Sequence, residues 1–358
     1  MKNKIQEYLL QLIHPELNQK FILEKNIKSI IDNNDGINIS IELNFPYKSQ
    51  EILYEKIIKD GLKKITDLNI TIIWSLKILS RQAQKGVNSI KGVKNIIAIA
   101  SGKGGVGKSS TAANLALALS SEGANVGILD ADIYGPSQPK MLGISQKPKS
   151  KDGKSMEPVM IHDIQIMSIG FLVDQETPMV WRGPMVTSTL EQLLKETNWD
   201  NLDYLIIDLP PGTGDIQLTL AQKIPVTGAI IVTTPQDIAL LDARRGLKMF
   251  EKVNIPILGI IENMSTHICS NCNHEEHIFG KDGGGKMCAD YDTELLGSLP
   301  LDINIRQDLD DGTPTVIKDP KSKISEMYRL IARKSALKVT SIAEDHSSKF
   351  PNIVIQQS

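Results

Sequence analysis

Residues 101–110 read SGKGGVGKSS, with Gly102, Gly107, Lys108 and Ser109 at the fixed positions of the pattern G-x-x-x-x-G-K-[ST]. In such a loop the glycines let backbone N–H groups close around phosphate oxygens. A lysine reaches the β/γ-phosphates and a hydroxyl binds Mg²⁺. Lys108 and Ser109 are candidates for those two roles, and Gly102, Lys103, Gly104, Gly105, Val106, Gly107 and Ser110 complete the candidate nucleotide loop. Lys103 is a second cation that the phosphate pattern does not require. Two acidic segments offer metal ligands. YLIID ends in Asp208 at the tip of an apolar run, where a carboxylate can contact the metal's water shell. ILDADIYGPS carries Asp130 and Asp132, and Asp132, just past the run, is assigned to Mg²⁺ or to water activation. Either aspartate alone could equally cap a turn.

A second constellation lies in HICSNCNHEEHIFGKDGGGKMC. Cys269 and Cys272 have C-x-x-C spacing, and Cys288 follows. Two thiols three positions apart can converge on one soft metal centre. Zinc completed by His267, His274 or His277 is one reading. An iron–sulfur cluster is another, and because clusters take four thiolates it calls for a two-fold dimer in which each protomer supplies two. Cys288 reads as a buried small hydrophobe.

These residues need elements to hold them. From residue 95 short apolar runs recur (NIIAIA, NVGILD, YLIID, AIIVTT, ILGIIEN, LLGSLP), separated by stretches with helical spacing such as SSTAANLALALSSEG. Strands without polar alternation, joined by helices, imply an α/β fold whose mostly parallel sheet is covered by helices on both faces. NIIAIA, the glycine loop and KSSTAANLALAL give strand, loop and helix in the order that a phosphate site requires. VMIHDIQIMSIG reads as a hairpin insertion. Residues 1–75 read as a small α+β domain: a helix over 2–13, two strands around Asn34-Asp35-Gly36, a helix and a closing strand NITIIWSL. Residues 76–94 carry Lys77, Arg81, Lys85, Lys91 and Lys94 without an acidic residue and read as a solvated basic linker. A larger domain that carries the glycine loop and the cysteine pair is placed at 95–345 and a tail at 346–358.

The 358-residue chain has a formal net charge of −2, which gives no support for general nucleic-acid binding. MKNKIQEYLL reads as an amphipathic helix and not a signal peptide, and no apolar run reaches membrane-spanning length. Three cysteines argue against a disulfide framework and for a cytoplasmic location.

KGGVGKS is similar to the deviant phosphate loop of the MinD/ParA/nitrogenase-iron-protein class of P-loop ATPases. The ordered set SGKGGVGKSS, LDADIYGPS, IIDLPPGTGD, TTPQDIALLDARRG, ENMS and CSNC closely resembles the Mrp/ApbC iron–sulfur carrier ATPases over residues 95–330. HPEL and IELNFP resemble the small domain that many members carry. The resemblance implies that Lys103 crosses a homodimer interface to the partner's nucleotide and that Asn263 contacts adenine. It also implies that Cys269 and Cys272 hold an iron–sulfur cluster, [4Fe-4S], bridging two protomers. The implied function is ATP hydrolysis with cluster transfer from a donor to apoproteins, without nucleic acid or membrane. Asn273 stands where the family commonly has glycine, and asparagine is the next best residue for a left-handed turn. A positioning ATPase of the MinD or ParA kind and a zinc-stabilised regulatory ATPase are the alternatives.

Overall fold

The computed structural model describes residues 1–33, 36–84, 87–172 and 183–345. The Asn34-Asp35 turn, Lys85 and the tail 346–358 lie outside the described residues.

The N-terminal unit runs α1 (Lys2–Gln11), β1 (Ile27–Asn33), β2 (Gly36–Leu43), α2 (Glu51–Leu62) and β3 (Ile70–Leu76). β2 is central, antiparallel to β1 and parallel to β3. Its alternate residues Ile37, Ile39, Ile41 and Leu43 are fully buried, which is the period-2 signature of a half-covered sheet. Tyr54, Ile58 and Leu62 of α2 lie buried in the same core.

The larger unit follows as β4 (Val93–Ala100), α3 (Lys108–Ser121), β5 (Val126–Asp130), α4 (Gln138–Met141), β6 (Val159–Ile161), β7 (Ile164–Ser168), α5 (Gly183–Glu196), β8 (Leu202–Asp208), α6 (Asp215–Lys223), β9 (Gly228–Thr233), α7 (Asp237–Lys252) and β10 (Ile257–Glu262). It ends with β11 (His267–Ile268), β12 (Glu275–Glu276), α8 (Gly283–Asp290), β13 (Leu295–Ser298), α9 (Ile303–Asp310), α10 (Thr315–Lys318) and α11 (Lys323–Ser341). The sheet order is β13-β10-β9-β4-β8-β5-β7-β6, parallel throughout except for β6 against β7. β5, β8 and β9 are buried at every residue, as strands covered on both faces must be. β4 lies between β8 and β9, so the chain leaves its two sides in opposite directions. A crevice opens at such a switch point, beyond the strands' C-terminal ends.

Two expectations are corrected. The segment read as a hairpin insertion is indeed a β6–β7 hairpin, but β7 pairs parallel with β5 and so completes the main sheet. Its polar flanks concealed a strand whose five residues are all buried. The stretch 76–94 is not simply solvated. Arg81 is only 4% exposed, donates to the Ile342 carbonyl and pairs with Glu344, while Lys94 lies within β4 and pairs with Asp203. Acidic partners distant in sequence thus pair with two of the cations of what looks locally like an uncompensated basic run.

The two units are joined at the C-terminal end of α3. Glu122 accepts from the backbone N–H groups of Tyr47 and Lys48 at its carbonyl and from Ser49 at its carboxylate. The small domain thus satisfies a carbonyl that the helix end leaves without an intrahelical partner. Arg333 of α11, fully buried, pairs with Glu122 at 2.8 Å, Glu16 at 2.6 Å and Glu326 at 2.9 Å.

Candidate functional site

The glycine loop lies between β4 and α3, where strand, loop and helix follow in the expected order. Gly107 caps the helix at φ 81°, a left-handed conformation that glycine adopts without strain. A Cβ there would also collide with the side-chain amide of Asn263. Gly102 packs so tightly on the backbone of Asp242 and Ala243 in α7 that a side chain would not fit. The loop is therefore wedged between α7 and the segment after β10. Its free N–H groups and the start of α3 form a site of positive potential.

Lys108 is 5% exposed, with its ammonium against the Asp208 carboxylate, 3.2 Å from Ser109 Oγ and 3.9 Å from Asp132 Oδ2. Asp208 closes β8 and Asp130 closes β5, paired side by side in register. Asp130 has a structural task. Its Oδ2 accepts from the N–H groups of Ser137 and Gln138 and from Ser168 Oγ, pinning residues 131–138 to the strand ends. Burial, with the neighbouring Asp208 charge, raises the Asp130 carboxyl above the usual range. Burial also raises Asp132, against the pull of Lys108. Ser109, Asp132 and Asp208 form a hard-oxygen set beside a phosphate loop, which suits Mg²⁺.

Asn263 follows β10. Its N–H donates to the Thr233 carbonyl and its side-chain Nδ2 to the Val106 carbonyl at 2.9 Å. It braces the phosphate loop and also lines a cavity of about 470 Å³, with Gly107, Ser110, Met141, Pro300 and Tyr328 on the other walls. A mainly apolar cavity of this size beside the loop suits a nucleotide base. Lys103 is half-exposed on the loop and, among the described residues, its side chain has no hydrogen-bond or ion-pair partner.

The cysteines sit in a hairpin of β11 and β12 that grows from the C-terminal end of β10. They therefore share a rim of the sheet with the phosphate loop. Cys269 N–H donates to the His274 carbonyl, and Asn273 N–H returns to the Cys269 carbonyl at 2.9 Å. Asn273 takes φ 57°, the left-handed turn for which asparagine substitutes for glycine. Cys272 is exposed and Cys269 half-buried. Backbone N–H groups of Asn271 and Cys272 point at the Cys269 sulfur and hold its thiol below the usual range, favouring the thiolate that binds metal. The histidines do not close a site around them. His267 Nδ1 faces the Leu301 carbonyl and His277 Nδ1 the Ser265 carbonyl. Among the described residues, no three His, Cys, Asp or Glu gather to hold a metal ion. Cys288 is buried in α8, where desolvation pushes its thiol up to about 11.

Residues 92–336 match the family model described as NUBPL iron-transfer P-loop NTPase. The chain belongs to this family. An iron-sulfur cluster carrier protein of Haemophilus influenzae is 51% identical over 93% of this chain and 90% of its own length. The Escherichia coli K12 protein of the same name is 53% identical over 90% and 88%. The mouse iron-sulfur cluster transfer protein NUBPL is 48% identical over 75% and 84%. Among solved structures, a nucleotide-binding protein from Archaeoglobus fulgidus in complex with ADP superposes with a TM-score of 0.58 at 34% identity, covering 66% of this chain and 93% of its own. The cell-division ATPase MinD of Pyrococcus furiosus shares the fold, with a TM-score of 0.51 at 21% identity over 67% of this chain and 97% of its own.

Within this iron-transfer P-loop NTPase, Lys108, Ser109, Asp132 and Asp208 come together at one end of the sheet, and half-exposed Lys103 is not part of that cluster. Sequence reasoning missed Gln138. It is fully buried, and its Nε2 bridges the Ser109 carbonyl at 3.0 Å and Asp208 Oδ2 at 2.9 Å. A glutamine beyond GPS carries no motif that would single it out. Among the described residues no helix is long and apolar enough to cross a membrane.

Proposed function

We propose that the protein is an ATP-binding and hydrolysing carrier that receives an iron–sulfur cluster from a donor and hands it to apoproteins. The observation that carries this reading is the pairing, on one rim of the sheet, of a phosphate loop with a C-x-x-C hairpin whose second thiol is exposed and whose first receives backbone N–H groups. Each chain offers two converging thiols. A two-fold homodimer then supplies the four that a [4Fe-4S] cargo takes, held at the surface where a recipient can reach it.

In this reading Lys108 and the loop N–H groups bind the phosphates of ATP. Ser109, Asp132 and Asp208 would hold Mg²⁺, which would supply positive charge beside the phosphate oxygens. Lys108 leaves its pairing with Asp208 as the phosphates arrive. Lys103, whose side chain has no partner among the described residues, reaches the partner's nucleotide as an arginine finger does. Asn263 contacts the base from its place beside the cavity. It also links the two sites, because it bonds the Val106 carbonyl of the loop and stands six residues before Cys269. Nucleotide state can shift cluster affinity only by favouring one dimer geometry over another, and this bond is where that preference enters the cysteine hairpin.

The test is transfer itself. Cluster-loaded protein is mixed anaerobically with an apo-ferredoxin while acceptor activity is followed, with and without ATP and in a Lys108→Ala variant. The proposal expects ATP to change the transfer rate in the parent and leave it unchanged in Lys108→Ala. An unchanged rate in both would refute the coupling.

A further inference from the structure

Gln138 is fully buried, and its side-chain amide has one allowed orientation. Both of its partners, the Ser109 carbonyl and Asp208 Oδ2, are acceptors, so the NH₂ group must face them and both of its N–H bonds are used. The other end, Oε1, is buried and has no donor among the described residues. A buried acceptor without a partner is uncommon and calls for an explanation such as a missing ion or water. This one sits one amide width from Nε2, which bridges the backbone carbonyl of Ser109, the residue whose hydroxyl is the candidate metal ligand, and the carboxylate of Asp208. Its own backbone N–H is fixed on Asp130 Oδ2. The glutamine therefore ties the segment that carries Asp132 to both the phosphate loop and Asp208.

We infer that Gln138 is a positioning residue for the magnesium of the nucleotide site, its Nε2 orienting Asp208 and its Oε1 accepting a hydrogen bond from a metal-bound water. The inference rests on the nucleotide-binding part of the proposed function. The Ser109 carbonyl and the Asp208 carboxylate lie against the neighbouring Nε2, and a water held by Mg²⁺ is a strong hydrogen-bond donor. It is the partner that a lone amide oxygen at the edge of a hard-oxygen set would take. The consequence is directional. Mg²⁺ completes the hydrogen bonding of Gln138, and Gln138 transmits metal occupancy to residues 131–138. An apolar side chain of similar length fills the space and does neither.

The test compares the parent with Gln138→Met, measuring binding of a fluorescent ADP analogue in EDTA and across a Mg²⁺ titration. Replacing such an outer partner is expected to shrink the Mg²⁺-dependent gain in nucleotide affinity about ten-fold. A full gain in the folded variant overturns the inference while leaving the nucleotide site standing. No nucleotide binding by the parent under either condition overturns both. A second measurement needs no folded methionine variant. In ¹⁵N-glutamine-labelled parent with ADP, Mn²⁺ in place of Mg²⁺ should broaden the side-chain amide signals of Gln138, identified by their loss in Gln138→Glu. Sharp Gln138 signals at saturating Mn²⁺ also overturn the inference.

Discussion

Replacing Arg333 by leucine removes the charge that joins the two units of the fold. The guanidinium is fully buried, and so is its partner Glu122, whereas Glu16 and Glu326 keep 30% and 42% of their side-chain surfaces in water. The exposed pair contributes little, because solvent screens it. The cost falls on Glu122. Without Arg333 its carboxylate keeps, among the described residues, only Ser49 and, at 3.9 Å, Arg329 Nε. Breaking a buried ion pair from one side costs roughly 3–5 kcal/mol. At about 2 °C per kcal/mol for a large chain, that is a fall of roughly 6–10 °C in Tm. The assay is a thermal melt followed by circular dichroism on the parent, Arg333→Leu and Arg333→Leu/Glu122→Gln. The double variant removes the orphaned charge and should recover at least half of the loss. A single variant melting within about 2 °C of the parent, or a double variant no more stable than the single, would refute the reasoning.

Three more outcomes follow from the same structure. Lys103→Ala should still bind nucleotide but lose on the order of 100-fold or more in ATP turnover, as a finger supplied in trans would; turnover near the parent's would contradict the role. His14 accepts N–H bonds from Glu16 and Leu17 at Nδ1, and burial, then Arg333, lowers its pKa from 6.5 to about 4. The unfolded chain therefore takes up the proton first. The stability advantage of the parent over His14→Gln, present above pH 6.5, should fall by up to about 3 kcal/mol as pH drops to 4, and denaturant melts showing a rise would contradict it. Iodoacetamide under native conditions should label exposed Cys272 well before buried Cys288, with mass spectrometry reading the order.

The phosphate loop was legible because its chemistry is local: one strand, one run of glycines and one helix start, all contiguous in sequence. Asp208 was legible for a similar reason, since an apolar run ending in aspartate marks a strand tip. Asp132 was set apart from Asp130 only by lying one step past the apolar run; the structural task of Asp130 was not legible, because it depends in part on Ser168, thirty-eight residues further on and contributed by the strand read as an insertion. Arg81 looked solvated because its partners Ile342 and Glu344 lie at the far end of the chain. Gln138 was invisible because its meaning depends on two acceptors brought together only by the folded sheet. The hairpin around Cys269 was foreshadowed by Asn273, whose left-handed turn is a local property of that residue type.

The most direct test of the account is anaerobic reconstitution with iron and sulfide, counting both per dimer beside a Cys269→Ala/Cys272→Ala variant. The account predicts one labile cluster per dimer, with roughly four irons and four sulfides, abolished in the variant. Tightly bound zinc in each monomer with no sulfide taken up, or a cluster that survives loss of both cysteines, would contradict it.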